Sequence, residues 1–199
     1  MKKIWVLVYV IASLAQAEEG FIDLFDGKSL DGWTAAPGGT WEVADGAILG
    51  RSPASEKRHG ILFSNKSYEN FVVRAKFKVT KGDSGFYFRS ERVNRAVNVN
   101  GFQVEVDSSQ ETGGLYETGG RAWVIKPKAE DIPNKKYKPG EWSDLEVRAD
   151  HKDITVKING VITAHLKNDS GRMKGFFGLQ LHGNLDMHVE YKDICIKEL

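Results

Sequence analysis

Three short segments carry the side chains best suited to chemistry, and each carries them at two-residue spacing. They are Ser84-Gly85-Phe86-Tyr87-Phe88-Arg89, Phe102-Gln103-Val104-Glu105-Val106-Asp107 and Phe177-Gly178-Leu179-Gln180-Leu181-His182. Side chains along a β-strand alternate between faces. Phe86 and Phe88 therefore share one face, as do Phe102, Val104 and Val106, and Leu179 and Leu181. A sheet containing all three strands would gather Tyr87, Arg89, Gln103, Glu105, Asp107, Gln180 and His182 on its other face. An ordinary solvated face is rich in Lys, Thr and Glu, as the Arg74, Lys76, Lys78 face of this chain is. The gathered set has no Lys and combines carboxylates, amides, a guanidinium and an imidazole. Such groups hydrogen-bond the fixed hydroxyls of a sugar, and an aromatic ring covers the apolar C–H side of a pyranose. Tyr116 and Trp123, on either side of the turn at 117–121, are further stacking candidates. The pattern points to a carbohydrate bound on one sheet face.

The rest of the chain reads as the strands and turns that would build such a sheet. Helical periodicity is nearly absent. Residues 41–44 and 47–50 flank Asp45-Gly46, and residues 154–158 and 161–166 flank Asn159-Gly160. Both dipeptides favour tight hairpin turns. Residues 71–79 alternate apolar and charged, and shorter strands are expected at 85–89, 102–106, 122–125, 145–149, 176–181 and 188–196. That makes about ten to twelve strands, with loops at 93–100 and 126–140, and suggests a sandwich or jelly roll. Trp33, Trp41 and Trp142 are expected in the core. His188 is expected to face solvent and His59 to lie in a loop, and neither they nor His151 and His165 are given a role. The single cysteine, Cys195, cannot form an internal disulfide.

The amino-terminus reads as an export signal. Lys2 and Lys3 precede an apolar run over 4–14, and Ala15-Gln16-Ala17 supplies small residues for cleavage. The run is short of the ~20 residues a membrane span needs. The expected organisation is a signal peptide at 1–17 and one domain at 18–199, periplasmic or secreted, with no membrane contact after cleavage. The 199 residues carry a formal net charge of +1, which argues against nucleic acid as a partner.

Longer stretches match a known pattern. Residues 20–33 (GFIDLFDGKSLDGW), 83–90 (DSGFYFRS), 101–107 (GFQVEVD), 113–117 (GGLYE), 178–183 (GLQLHG) and the closing 193–199 (DICIKEL) resemble the bacterial 3-keto-disaccharide hydrolase family. The resemblance implies an all-β, concanavalin A-like jelly-roll sandwich of two antiparallel sheets, with sugar on the concave face. It also implies hydrolysis of glycosides oxidised at C3, working with an oxidoreductase that makes the 3-keto substrate. A keto group at C3 acidifies the hydrogen on C2. A base removes it, the enolate expels the aglycone from C1, and water adds afterwards. On this scheme either His182 or Glu105 is the base, Arg89 sits near the keto oxygen, and Asp107 or Glu105 serves the leaving group. Tyr87, Gln103, Gln180, Tyr116 and Trp123 would bind substrate. Glu105, Asp107 and His182 are residue types that can hold a divalent cation, but no spacing motif supports one and no cofactor is expected. Two rival readings stand beside this one. Glu105-Val106-Asp107 with Glu111 resembles the motif of laminarinase-type endoglucanases, although Glu111 lies at the expected strand end and is expected not to reach. The other is a non-catalytic, lectin-like binding module.

Overall fold

The computed structural model describes residues 20–109, 111–128 and 136–199. The expected signal peptide lies outside them, as do residues 129–135 of the expected 126–140 loop. Among the described residues there are fifteen strands and no helix: β1 (Ile22–Asp23), β2 (Trp33–Ala35), β3 (Thr40–Ala44), β4 (Ala47–Ser52), β5 (Gly60–Tyr68), β6 (Phe71–Lys81), β7 (Asp83–Arg92), β8 (Val99–Asp107), β9 (Leu115–Thr118), β10 (Ala122–Ile125), β11 (Ser143–Asp150), β12 (Asp153–Ile158), β13 (Val161–Leu166), β14 (Gly175–Leu181) and β15 (Met187–Glu198). One sheet runs β13-β12-β11-β6-β15-β4-β3, with β1 added to β15. The other runs β10-β9-β8-β7-β14-β5-β2. Every pairing is antiparallel. This is the concanavalin A-like jelly-roll sandwich that the resemblance implied.

The alternation of β6 decides its orientation. Phe71, Val73, Ala75, Phe77 and Val79 are buried, while Val72, Arg74, Lys76 and Lys78 are half-exposed. The inward rings meet those of the second sheet. Phe71 packs edge-on against Phe177 at 4.9 Å and Phe88 at 6.3 Å, and Phe88 stacks on Phe102 at 5.4 Å. The sheets are also joined by a polar tie: Ser84 Oγ donates to the Gln180 carbonyl at 2.6 Å and lies 2.9 Å from Tyr191 Oη. The two expected hairpins form, with Asp45 and Gly46 at φ 50° and 75°, and Asn159 and Gly160 at 49° and 80°.

β5 escapes an alternation test because both its faces are covered. Leu62 enters the main core, while Ile61 and Phe63 join Tyr87 and Val99 in a small apolar cluster on the opposite face of the sheet. Trp142 departs from expectation. It is half-exposed just before β11, with the ammonium groups of Lys78 on β6 and Lys192 on β15 4.9 Å and 4.3 Å from its ring centroid. Trp33 is buried, and Trp41 is half-buried against the core.

Arg89 also departs from expectation, because β7 does not alternate to its end. β7 pairs with β8 in step from Asp83↔Asp107 to Phe88↔Phe102, then slips before Glu91↔Asn100. Arg89 sits in this bulge at φ 46°, and a bulge re-aims the side chain it carries. Arg89 is 1% exposed. Its Nε and Nη2 donate to the Glu69 carbonyl at 2.9 and 2.8 Å, Nη2 to Asn70 Oδ1 at 3.3 Å and Nη1 to the Arg172 carbonyl at 3.4 Å. The guanidinium braces the turn between β5 and β6 against the segment entering β14. Replacing it strands those acceptors, so Arg89→Met is expected to cost about 1–3 kcal/mol of stability. Thermal melting is the check, and an unchanged midpoint would contradict this structural role.

Candidate functional site

The three segments singled out in the sequence are neighbours, in the order β8-β7-β14. Above them, on the face of this sheet turned away from the main core, lies a cleft of about 350 Å³. Its floor follows from the register. Tyr87 lies opposite Gly178 on one side and Gln103 on the other, Gln103 opposite Tyr116, and Tyr116 opposite Trp123. Gly85 lies opposite Glu105. A Cβ on Gly85 would come within 2.6 Å of Gln103 Cγ and Nε2. The missing side chain lets Gln103 lie across β7 and reach β14.

That reach closes a ring of hydrogen bonds. Gln180 Nε2 donates to Tyr87 Oη at 3.3 Å, and Tyr87 Oη lies 2.9 Å from Thr118 Oγ1. Thr118 Oγ1 donates to Gln103 Oε1 at 3.4 Å, and Gln103 Nε2 returns to Gln180 Oε1 at 3.4 Å. Each member donates to the next in one sense, so both amides are oriented. Their remaining hydrogens leave the ring at two points. Gln103 Nε2 donates to Glu105 Oε2 at 3.2 Å, and Gln180 Nε2 to His59 Nδ1 at 3.2 Å.

At the first point stands a carboxyl pair. Glu105 is 7% exposed, and its carboxyl hydrogen-bonds the side chain of Asp83. Burial holds Glu105 well above the usual carboxylate range, and the hydrogen bond and negative charge of Asp83 raise it further. Burial also raises Asp83, against the lowering effect of the Glu105 hydrogen bond. The pair shares a proton that rests on Glu105. At the second point stand two imidazoles. The His59 and His182 rings lie 4.1 Å apart, tilted by 57°. His182 Nδ1 is 2.7 Å from the Gly183 carbonyl, which can only accept. In the neutral ring Nε2 therefore carries the lone pair.

Of the residues named from sequence, Tyr87, Gln103, Glu105, Tyr116, Trp123, Gln180 and His182 all line the cleft. Tyr116 and Trp123 form an edge-to-face pair at 5.5 Å on the outer strands. Arg89 does not line it, for the reason given above. Asp107 does not line it either. Its carboxylate folds back on the turn after β8, accepting from Ser109 N at 3.0 Å, from Thr112 Oγ1 at 2.6 Å and from the Ser109 hydroxyl. Glu111, expected to stop short, reaches the cleft and pairs with Lys126. Asp83, Thr118 and Val97 line it as well and were not among the expected site residues, and so does His59, which was expected in a loop without a role. Asp83 shares the two-residue spacing of Gly85 and Tyr87 and could have been found by extending that row. His59 lies outside any strand, and no periodicity marks it. Among the described residues, no three His, Cys, Asp or Glu side chains converge as a metal site would require.

Residues 20–197 match the profile of the 3-keto-alpha-glucoside-1,2-lyase-like domain. The chain belongs to this family. A 3-keto-disaccharide hydrolase of Bacteroides thetaiotaomicron is 31% identical over an 86-residue alignment that covers 38% of this chain and 29% of the relative. A candidate glycosyl hydrolase from Parabacteroides distasonis shares the fold at a TM-score of 0.68 and 20% identity, over 91% of this chain and 94% of that one. The carbohydrate-binding module CBM66 of Bacillus subtilis does so at 0.64 and 17%, over 84% and 96%. The lyase-like domain is thus a carbohydrate-related, hydrolase-family domain on a sandwich that binding modules also use.

The raised carboxyl has a consequence for stability. Glu105 ionises near 4.5 when free and higher when folded. The stability its proton contributes is full below the free value and is lost as pH rises through the folded one. Glu105→Gln keeps the neutral shape without that loss. It is expected to melt above wild type at pH 8, by about 2–4 °C for each kcal/mol regained, with the gap closing toward pH 4. An equal gap at both pH values would contradict a protonated Glu105.

Proposed function

We propose that this chain is an exported enzyme that cleaves 3-keto-glycosides by elimination across C1 and C2, followed by hydration. One observation carries the reading: a lone-pair imidazole nitrogen on His182 and a proton-bearing carboxyl on Glu105 line the same cleft. Those are the base and the acid an elimination needs. The family description, 1,2-lyase-like, names the same pair of carbons.

His182 Nε2 takes the proton from C2. The C–H electrons form a C2=C3 double bond, and the carbonyl pair moves to the C3 oxygen. As the carbonyl re-forms, the C1–O bond breaks and C1=C2 appears. The departing oxygen takes the proton of Glu105, and Asp83 holds that carboxyl in place. Water then adds across C1=C2, hydroxyl to C1 and hydrogen to C2. Tyr116 and Trp123 offer aromatic surface to a sugar ring. The substrate requires an oxidoreductase acting earlier on the C3 hydroxyl.

The endoglucanase reading draws support from Glu111 in the cleft. It needs Glu105 ionised as a nucleophile, and burial beside Asp83 opposes that. The deciding assay sets a chromogenic 3-keto-glucoside beside its unoxidised parent. Selective cleavage of the keto form is expected, falling about 10²–10⁴-fold in His182→Ala. Cleavage of the parent alone would make the protein an ordinary glycosidase. Binding without cleavage of either would make it a lectin-like module.

A further inference from the structure

The elimination develops negative charge on the C3 oxygen, and a hydrogen-bond donor must meet it there. Arg89 is not in the cleft, so that donor has to be found among the residues that are. Gln103 spends both amide hydrogens on Glu105 and Gln180. Gln180 spends both on Tyr87 and His59. The hydroxyls of Tyr87 and Thr118 are committed within the ring. Three side chains lining the cleft keep an N–H or O–H unspent: His59, Tyr116 and Trp123.

Position separates them. C2 and C3 are bonded neighbours, so the donor must stand beside the base. Tyr116 lies on β9, three strands from the β14 that leads into His182, which is about 14 Å at the usual strand spacing. Trp123 is one strand further. The His59 ring is 4.1 Å from the His182 ring.

His59 is also held by three hydrogen bonds. Its N–H donates to the Ala96 carbonyl at 2.9 Å, its carbonyl accepts from Asn98 Nδ2 at 2.7 Å, and its Nδ1 accepts from Gln180 Nε2 at 3.2 Å. An amide nitrogen only donates, so Nδ1 is bare and the proton of the neutral ring sits on Nε2. One loop holds the backbone of His59 and β14 holds its ring, although His59 itself belongs to no strand. That is how a group is pre-aimed at charge that has yet to form.

We infer that His59 is a further catalytic residue, a neutral imidazole whose Nε2–H binds the substrate's C3 oxygen while His182 removes the proton from C2. Neutrality has a second support. Burial, and then the neighbouring His182, push His59 down to about 4. A neutral donor holds the enolate without competing with His182 as a protonated group would. The inference rests on the elimination proposed above.

The test uses the chromogenic 3-keto-glucoside and two variants. His59→Phe keeps an aromatic ring against His182 and removes the donor. Turnover is expected to fall about 10²–10³-fold, with KM little changed. His59→Gln, which can donate from its amide, is expected to recover part of that loss. Nitrogen NMR of the wild-type protein at neutral pH reads the ring directly, whether or not the variants fold. The expected signature is a protonated Nε2 and a bare Nδ1. Wild-type turnover in His59→Phe, or a proton on His59 Nδ1, overturns the inference alone. Failure of the wild type to cleave the keto substrate overturns the proposed function, and this inference with it.

Discussion

Two glutamine amides lie buried beneath the cleft, and a buried amide without partners costs about 1–3 kcal/mol for each group left unmade. The ring through Gln180, Tyr87, Thr118 and Gln103 meets that demand. Much of the site depends on it. It requires β7 to lie between β8 and β14, β9 to supply Thr118, and a glycine at 85 so that Gln103 can cross the strand. Because its bonds run in one sense, it also dictates which amide hydrogens face outward. One holds an oxygen of Glu105 and the other holds His59 Nδ1. The Glu105 carboxyl and the neutral His59 imidazole are thus both held by a single network.

Burial then separates the roles of the ionisable groups. Glu105 is pressed toward its neutral form beside Asp83, while His59 is pressed toward its own neutral form beside His182. A cleft with one proton-bearing carboxyl and one lone-pair imidazole differs from the two-carboxylate arrangement of ordinary glycoside hydrolysis. The sandwich itself does not make that distinction, since a candidate glycosyl hydrolase and a carbohydrate-binding module share it with this chain. The difference lies in what the cleft face carries.

The face was readable from the sequence where strands alternate without interruption. Phe86 and Phe88 against Tyr87, Val104 and Val106 against Gln103 and Glu105, and Leu179 and Leu181 against Gln180 and His182 all fall on the sides that parity assigns. Parity fails where the backbone leaves the ideal pleat. Arg89 has the right spacing but sits in a bulge at φ 46°, and Asp107 has it but ends the strand and caps its own turn. β5 hid because both its faces are covered. His59 could not be found by spacing at all. Its place comes from contacts with residues 37 to 121 positions away, which no local pattern records.

The most direct test of this chemistry is the fate of the hydrogen on C2. Under the proposed elimination, cleavage of a 3-keto-glycoside in deuterium oxide should give a sugar with deuterium at C2, because the base would remove the original proton and the hydration that follows would deliver one from solvent. Product retaining its original C2 hydrogen would mean that the C1–O bond breaks without proton abstraction, and would contradict the assignment of His182 as the base.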